Sequence, residues 1–160
     1  MAKAAIPIVL LGRMAEMGRI VTEHLRPEIG VINFFSSPEA AKEDLPRLLA
    51  GQPPSAPSGN DIGTQDYSRS PQAVLSGLGY YNEVIDELRA PCRGGGGAVP
   101  WVDGGLSKAQ FDDMMASGPP ISPSQQGPAS AVKVKSKVLE LINDGKGGVD
   151  GVYRWHEGRE

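Results

Sequence analysis

The 160-residue chain has one cysteine, Cys92, and two histidines, His24 and His156. One cysteine excludes a disulfide within the chain, so the sequence implies no oxidising compartment. Two isolated histidines do not supply the clustered ligand spacing of a metal centre, and no metal is expected. Lysine and arginine form no run. With a formal net charge of -3 and a pI near 5.4, the chain lacks the basic face that a nucleic-acid backbone requires. The densest cationic stretch, Lys133, Lys135 and Lys137, reads as the wet side of a helix. No apolar run approaches the ~20 residues of a membrane span. The first residues lack the apolar core and cleavage site of a secretory signal. A cytoplasmic protein is the expectation.

Catalytic signatures are also scarce. There is no GxSxG elbow and no GxxxxGK[ST] phosphate loop. None of Tyr67, Tyr80, Tyr81 and Tyr153 is followed four positions later by lysine. Glycine (21) and proline (14) are abundant, concentrated in a few stretches, which predicts ordered elements joined by long loops.

What is present is an alternation of strands and helices. Residues 6–11 are continuously apolar, as in a strand buried on both faces of a parallel sheet. Residues 14–25 place Met14, Met17, Ile20, Val21 and Leu25 on one helical stripe. A strand is expected at 30–35. Ser37 then reads as an N-cap with Pro38 at the first helical position, opening a helix to about residue 50. Residues 52–72 form a long loop rich in Pro, Ser, Gly and Asp, the kind that serves as a lid or binding loop. It is expected to fold over the carboxyl ends of the strands. Further strands are expected at 73–76 and 98–102, helices at 81–89, 108–116 and 131–143, an irregular stretch at 117–128, and an edge strand within 149–155. The pattern predicts one three-layer α/β/α domain, Rossmann-like, with a parallel sheet of about four or five strands.

The sharpest local signal is Gly12, Ala15 and Gly18, spaced three apart, directly after a buried strand and opening an amphipathic helix. A first glycine allows a tight turn, a small second residue lets the backbone approach phosphates, and a third allows close helix–strand packing. This resembles the GxxGxxG turn of NAD(P)-binding Rossmann proteins, over residues 6–37 and with alanine in the middle position. The resemblance implies NADP or NAD as cofactor, with Gly12, Arg13, Met14, Ala15, Met17 and Gly18 around the pyrophosphate. The end of the second strand departs from that pattern. It carries Ser36 and Ser37 in place of the acidic residue that holds the ribose hydroxyls, which leans towards a 2′-phosphate. A receiver-like acidic cluster and the Ser/Thr-rich phosphate loop of a flavodoxin are both missing after the first strand.

Ligands of such sheets sit beyond the carboxyl ends of the strands. Gly77 and Asp103 fall there, Asp103 as a candidate general base or a turn former. Tyr67 and Arg69 in the long loop are the candidates for gripping a ligand, Tyr67 with a catalytic role, and Trp101 could line the substrate pocket. Two functions follow. One is an NAD(P)-dependent enzyme acting on a small organic substrate, with a homodimer completing its site. The other is a binding or interaction protein that keeps the fold without cofactor.

Overall fold

A computed structural model describes residues 5–54, 62–65, 67, 70–77, 80–90, 99–103, 107–117, 123–145 and 151–154. The elements run β1 (Ile6–Leu11), α1 (Ala15–Leu25), β2 (Ile29–Phe35), α2 (Pro38–Leu49), β3 (Ala73–Ser76), α3 (Asn82–Arg89), β4 (Pro100–Asp103), α4 (Lys108–Ser117), α5 (Pro123–Asn143) and β5 (Gly151–Arg154). The five strands form one sheet in the order β2-β1-β3-β4-β5, and every neighbouring pair is parallel.

Parallel strands need crossover helices, and right-handed crossovers place those helices on both faces. Alternate residues of β1 divide accordingly. Ile8 and Leu10 join the core beneath α1 and α5, together with Val21, Leu25, Val134 and Val138. Val9 and Leu11 join the core beneath α2 and α3, together with Leu45, Leu48, Ile85 and Leu88. The three-layer α/β/α architecture and the five-stranded sheet are therefore as the sequence pattern predicts. The strand order is the flavodoxin-like one of the two common doubly wound orders, which reverses direction between β1 and β3.

Local chemistry accounts for the boundaries. The Ser37 hydroxyl accepts the Ala40 N–H at 3.3 Å, with Pro38 at the first helical turn, so α2 begins where its cap stands. A reciprocal capping box opens α4. The Ser107 hydroxyl accepts from Gln110 N–H, and Gln110 Oε1 accepts from Ser107 N–H, each at 3.1 Å. Met14 departs from its expected place on the buried stripe. It precedes α1 as its N-cap and stands 40% exposed. Helix α5 starts at Pro123, eight residues before the expected 131, so much of the expected irregular stretch is helical.

The long loop also departs from expectation. Its residues Thr64 and Gln65 donate backbone N–H groups to Val31 O and Ile32 O. They lie along the outer edge of β2 instead of over the carboxyl ends. The edge strand has unpaired backbone groups there, and the loop satisfies them.

Phe34 fixes how closely α1 approaches the sheet. Its ring is buried, and a Cβ built on Gly18 would meet it at 2.6 Å, while one on Gly12 would meet it at 3.0 Å. Gly18→Ala is therefore expected to destabilise the fold by about 1–3 kcal/mol through overpacking, although alanine is the better helix former by about 1 kcal/mol. Urea denaturation checks the sign.

At the other end of α1, Lys135 of α5 pairs with Glu28 at 2.6 Å. The hydrogen bond from Lys135 holds the Glu28 carboxyl below its ordinary value. A depressed carboxyl contributes stability above its unfolded pKa and loses it as pH falls through the folded one. Glu28→Gln should accordingly lower the thermal midpoint modestly at pH 7 and flatten its decline below about pH 4.5, so that variant and parent converge in acid; thermal melts at the two pH values check it.

Candidate active site at the sheet switch point

The carboxyl ends of β1 and β3 diverge at the reversal of strand order, which is where doubly wound sheets hold ligands. Gly12 and Gly77 flank this point, and both are half-buried. Their N–H groups extend the sheet ladder, Gly12 to Phe35 O at 3.1 Å and Gly77 to Leu11 O at 3.0 Å. Gly12 has no positive φ, so the turn does not need glycine for backbone freedom. It needs the space that Phe34 occupies. Among the described residues nothing comes closer than 3.9 Å to a Cβ added at Gly77, although its N–H and carbonyl are engaged by Leu11 O and the Tyr80 N–H.

Helix α1 begins just past this point. Its N-cap, Met14, makes no side-chain cap hydrogen bond, and the first N–H groups of a helix have no partner within the helix. Arg13, Met14 and Ala15 are exposed and Met17 is half-buried. The expected phosphate-binding residues thus stand together around an uncapped helix start, with Gly18 behind them as a packing residue. Glu16 lies in the first turn as well, and its carboxylate opposes an incoming anion while complementing the helix dipole.

Tyr80 forms the floor on the α2/α3 side. It is fully buried, and its hydroxyl donates to Phe35 O at 2.8 Å. Because β1 lies between β3 and β2, the Tyr80 side chain crosses the end of β1 to reach that carbonyl. The Arg13 guanidinium sits 5.6 Å from the Tyr80 ring centroid. Burial raises the Tyr80 hydroxyl far above its ordinary range; Arg13 opposes the shift and Glu39 adds to it. The hydroxyl is a fixed donor and not a base.

Asp103 corrects an expectation. It is the last residue of β4 instead of the start of the turn after it, and it is fully buried and not an exposed turn former. Its Oδ1 accepts from the Ser76 hydroxyl at 3.0 Å and its Oδ2 from Asn82 Nδ2 at 2.8 Å. Both oxygens tie the start of α3 to the ends of β3 and β4, which occupies the carboxylate that a general base would use. Trp101 is likewise corrected. It is 2% exposed and packs in the α2/α3-side core, so it lines no substrate pocket.

Tyr67 lies elsewhere. Its hydroxyl donates to Gln65 Oε1 at 2.7 Å and stands 3.4 Å from Asn33 Oδ1 of β2. Burial raises its pKa, and the charge of Asp44 adds to the effect. With β1 and β3 between β2 and β4, the strands carrying Asn33 and Asp103 are three steps apart, about 14 Å at ordinary strand spacing. Tyr67 and Asp103 therefore do not form one catalytic pair.

Ser36 is exposed at the end of β2, whereas the Ser37 hydroxyl is engaged as the α2 cap. Arg69 lies outside the described residues. Among the described residues, no group of three or more His, Cys, Asp or Glu could hold a metal, and no helix is long and apolar enough to cross a membrane. The residues that sequence reasoning missed are Phe34, Ser76, Tyr80 and Asn82. The adjacent pair Tyr80-Tyr81 gave no sign of which ring is buried.

Kojic acid related protein 6 of Aspergillus oryzae (strain ATCC 42149 / RIB 40) is 32% identical to this chain over 148 residues, 92% of the chain and 83% of that protein. The chain belongs to the family of that protein. The match covers most of the length of the domain. No family model matches the chain, and no solved structure matches it significantly.

The Asp103 network has a measurable weight. Asp103→Ala leaves the Ser76 hydroxyl and the Asn82 amide without their acceptor and is expected to cost about 1–3 kcal/mol. In a cycle with Ser76→Ala the two losses should fall short of additivity by at least about 0.5 kcal/mol, as expected for groups in contact. Chemical denaturation of the three variants reads it.

Proposed function

We propose that this protein binds a small phosphate-bearing ligand at the β1/β3 switch point, with NADP or NAD as the first candidates. The observation that carries the reading is the start of α1, whose N-cap Met14 makes no side-chain cap hydrogen bond, set beside the side-chain-free Gly77 at the point where doubly wound sheets hold nucleotides. A phosphate oxygen would take the amide hydrogens of the first turn, and Arg13 would supply a charge-assisted bond. Ser36 is left for a ribose or its 2′-phosphate, which favours NADP. The family relative is named for kojic acid. A small organic compound of that kind is the substrate class that fits a domain of this size.

Any chemistry at the crevice needs a proton-transfer group other than Asp103 and Tyr67. A second copy of the chain supplying that group is part of this proposal. A non-catalytic binding protein without cofactor is the second reading. It is favoured by the Glu16 carboxylate at the helix start and by the engagement of both Asp103 oxygens.

Nucleotide titration separates the two readings. Gly12→Val is a poor probe because the added side chain lands on Phe34. Ala15→Asp is better, since it adds a negative charge at an exposed helix start and complements the dipole. Stability should stay within about 1 kcal/mol of the parent, while affinity for NADPH or NADH, followed by nicotinamide fluorescence, should fall at least about tenfold, or some 1.4 kcal/mol. No thermal shift of the parent protein with either nucleotide at millimolar concentration would establish the second reading.

A further inference from the structure

Four consecutive residues at the start of α3 each hold a different part of the molecule. Tyr80 reaches the end of β2, with its hydroxyl on Phe35 O at 2.8 Å and its ring centroid 5.6 Å from Arg13 Cζ. The Tyr81 ring meets the Phe111 ring of α4, with centroids 5.4 Å apart and planes tilted by 60°. Asn82 Nδ2 donates to Asp103 Oδ2 of β4 at 2.8 Å. The Glu83 carboxylate accepts the Lys108 N–H at the start of α4, at 3.1 Å to Oε1 and 3.4 Å to Oε2. The chain passes here from extended backbone at Tyr81, with φ -63° and ψ 153°, into helix. Successive helical side chains point about 100° apart, so one short stretch serves several directions.

Helix α4 takes two of its contacts from this stretch. Among its described side chains Phe111 is half-buried and the others are exposed. A helix in a protein owes most of its stability to a packed apolar face, and the pair with Tyr81 supplies such packing. A carboxylate at a helix N-terminus satisfies a free amide and complements the dipole, so Glu83 anchors the same helix at its first residue. Asn82, between the two anchors, ties the stretch to the sheet. Tyr80 shares its acceptor, Phe35 O, with the Gly12 N–H, which brings the turn after β1 into the same chain of contacts.

We infer that residues 80–83 form a coupling clasp, through which α4 and the turn after β1 shift together. A displacement of α4 pulls on Tyr81 and Glu83. The backbone they share with Tyr80 carries it to Phe35 O, Gly12 and Arg13. Coupling of this kind is a free energy and acts equally in both directions. A solvent-facing helix thereby gains influence over the switch point. The inference does not depend on which ligand the switch point holds, nor on whether it holds one.

Proximity alone is not coupling, so the test is both spectroscopic and energetic. In amide NMR spectra of the full chain, Glu83→Gln and Phe111→Leu should each shift the Gly12 and Gly77 signals. Tyr80→Phe should shift those of Lys108 and Phe111. Ala109→Ser, at an exposed position of the same helix, should move neither glycine. In a cycle of Tyr80→Phe and Phe111→Leu under urea denaturation, the unfolding constant of the double variant should differ from the product of the single effects by more than about twofold, beyond the scatter of independent sites. Shifts that stay on the mutated side of the clasp, or a cycle that is multiplicative within that factor, would overturn the inference. If Phe111→Leu fails to fold, Glu83→Gln, an exposed and nearly isosteric change, replaces it in the cycle.

Discussion

Two consecutive residues at the end of β2 set the geometry on which the rest of the switch point depends. The Phe34 ring goes into one layer and stands against Gly12 and Gly18, bringing α1 down onto the sheet. The Phe35 carbonyl receives two donors, the Gly12 N–H and the Tyr80 hydroxyl. The turn after β1 is thus held by a ring on one side and by a shared acceptor on the other. Because strand side chains alternate between faces, Phe34 and Phe35 join the two separate cores. The exposed turn at residues 13–15 rests on this support, and a ligand arriving there meets a surface already fixed in place.

The polar groups at the carboxyl end fall into two kinds. Asp103, Ser76 and Asn82 satisfy one another and bind β3, β4 and α3 into a unit. Such a network rigidifies a core when every member is paired. The start of α1 is the opposite case, because no side chain of its cap residue answers its first amides. The exposed candidates near the switch point are accordingly the first turn of α1 and Ser36, with Arg13 and Gly77 beside them. Tyr80 supports this set from beneath and takes no direct part. Membership in the family of Kojic acid related protein 6 sets this arrangement within a group of proteins, and the site itself is argued from the residues around the turn.

Much of the fold was legible because its signals are local. The uninterrupted apolar run at 6–11 marks a buried parallel strand, and its bounds, like those expected at 73–76, match the observed ones. Ser37 followed by Pro38 marks a helix start by chemistry alone. Signals that compete locally misled. The stretch 117–128 reads as irregular, yet α5 runs from Pro123 through Gly127 and Pro128; packing of the rest of the helix on α1 outweighs their poor propensity. The site was less legible than the fold, since a glycine spacing does not say what the missing side chain makes room for. At Gly18 it is an aromatic ring from another strand. Asp103 could be placed at a strand end from the sequence, but its burial depends on Ser76 and Asn82, 27 and 21 residues earlier. The edge position of β2, and with it the route of the long loop, follows from strand order, which periodicity does not encode.

The contact between Phe34 and the two glycines also bears on how this lineage can change. Any descendant that gains a side chain at position 18 must lose volume at position 34, and position 12 is bound to the same exchange, because all three draw on one small volume. The glycine spacing would then persist across relatives for steric reasons whether or not a nucleotide is ever held there. Its recurrence in a genome would trace the shape of a neighbouring phenyl ring.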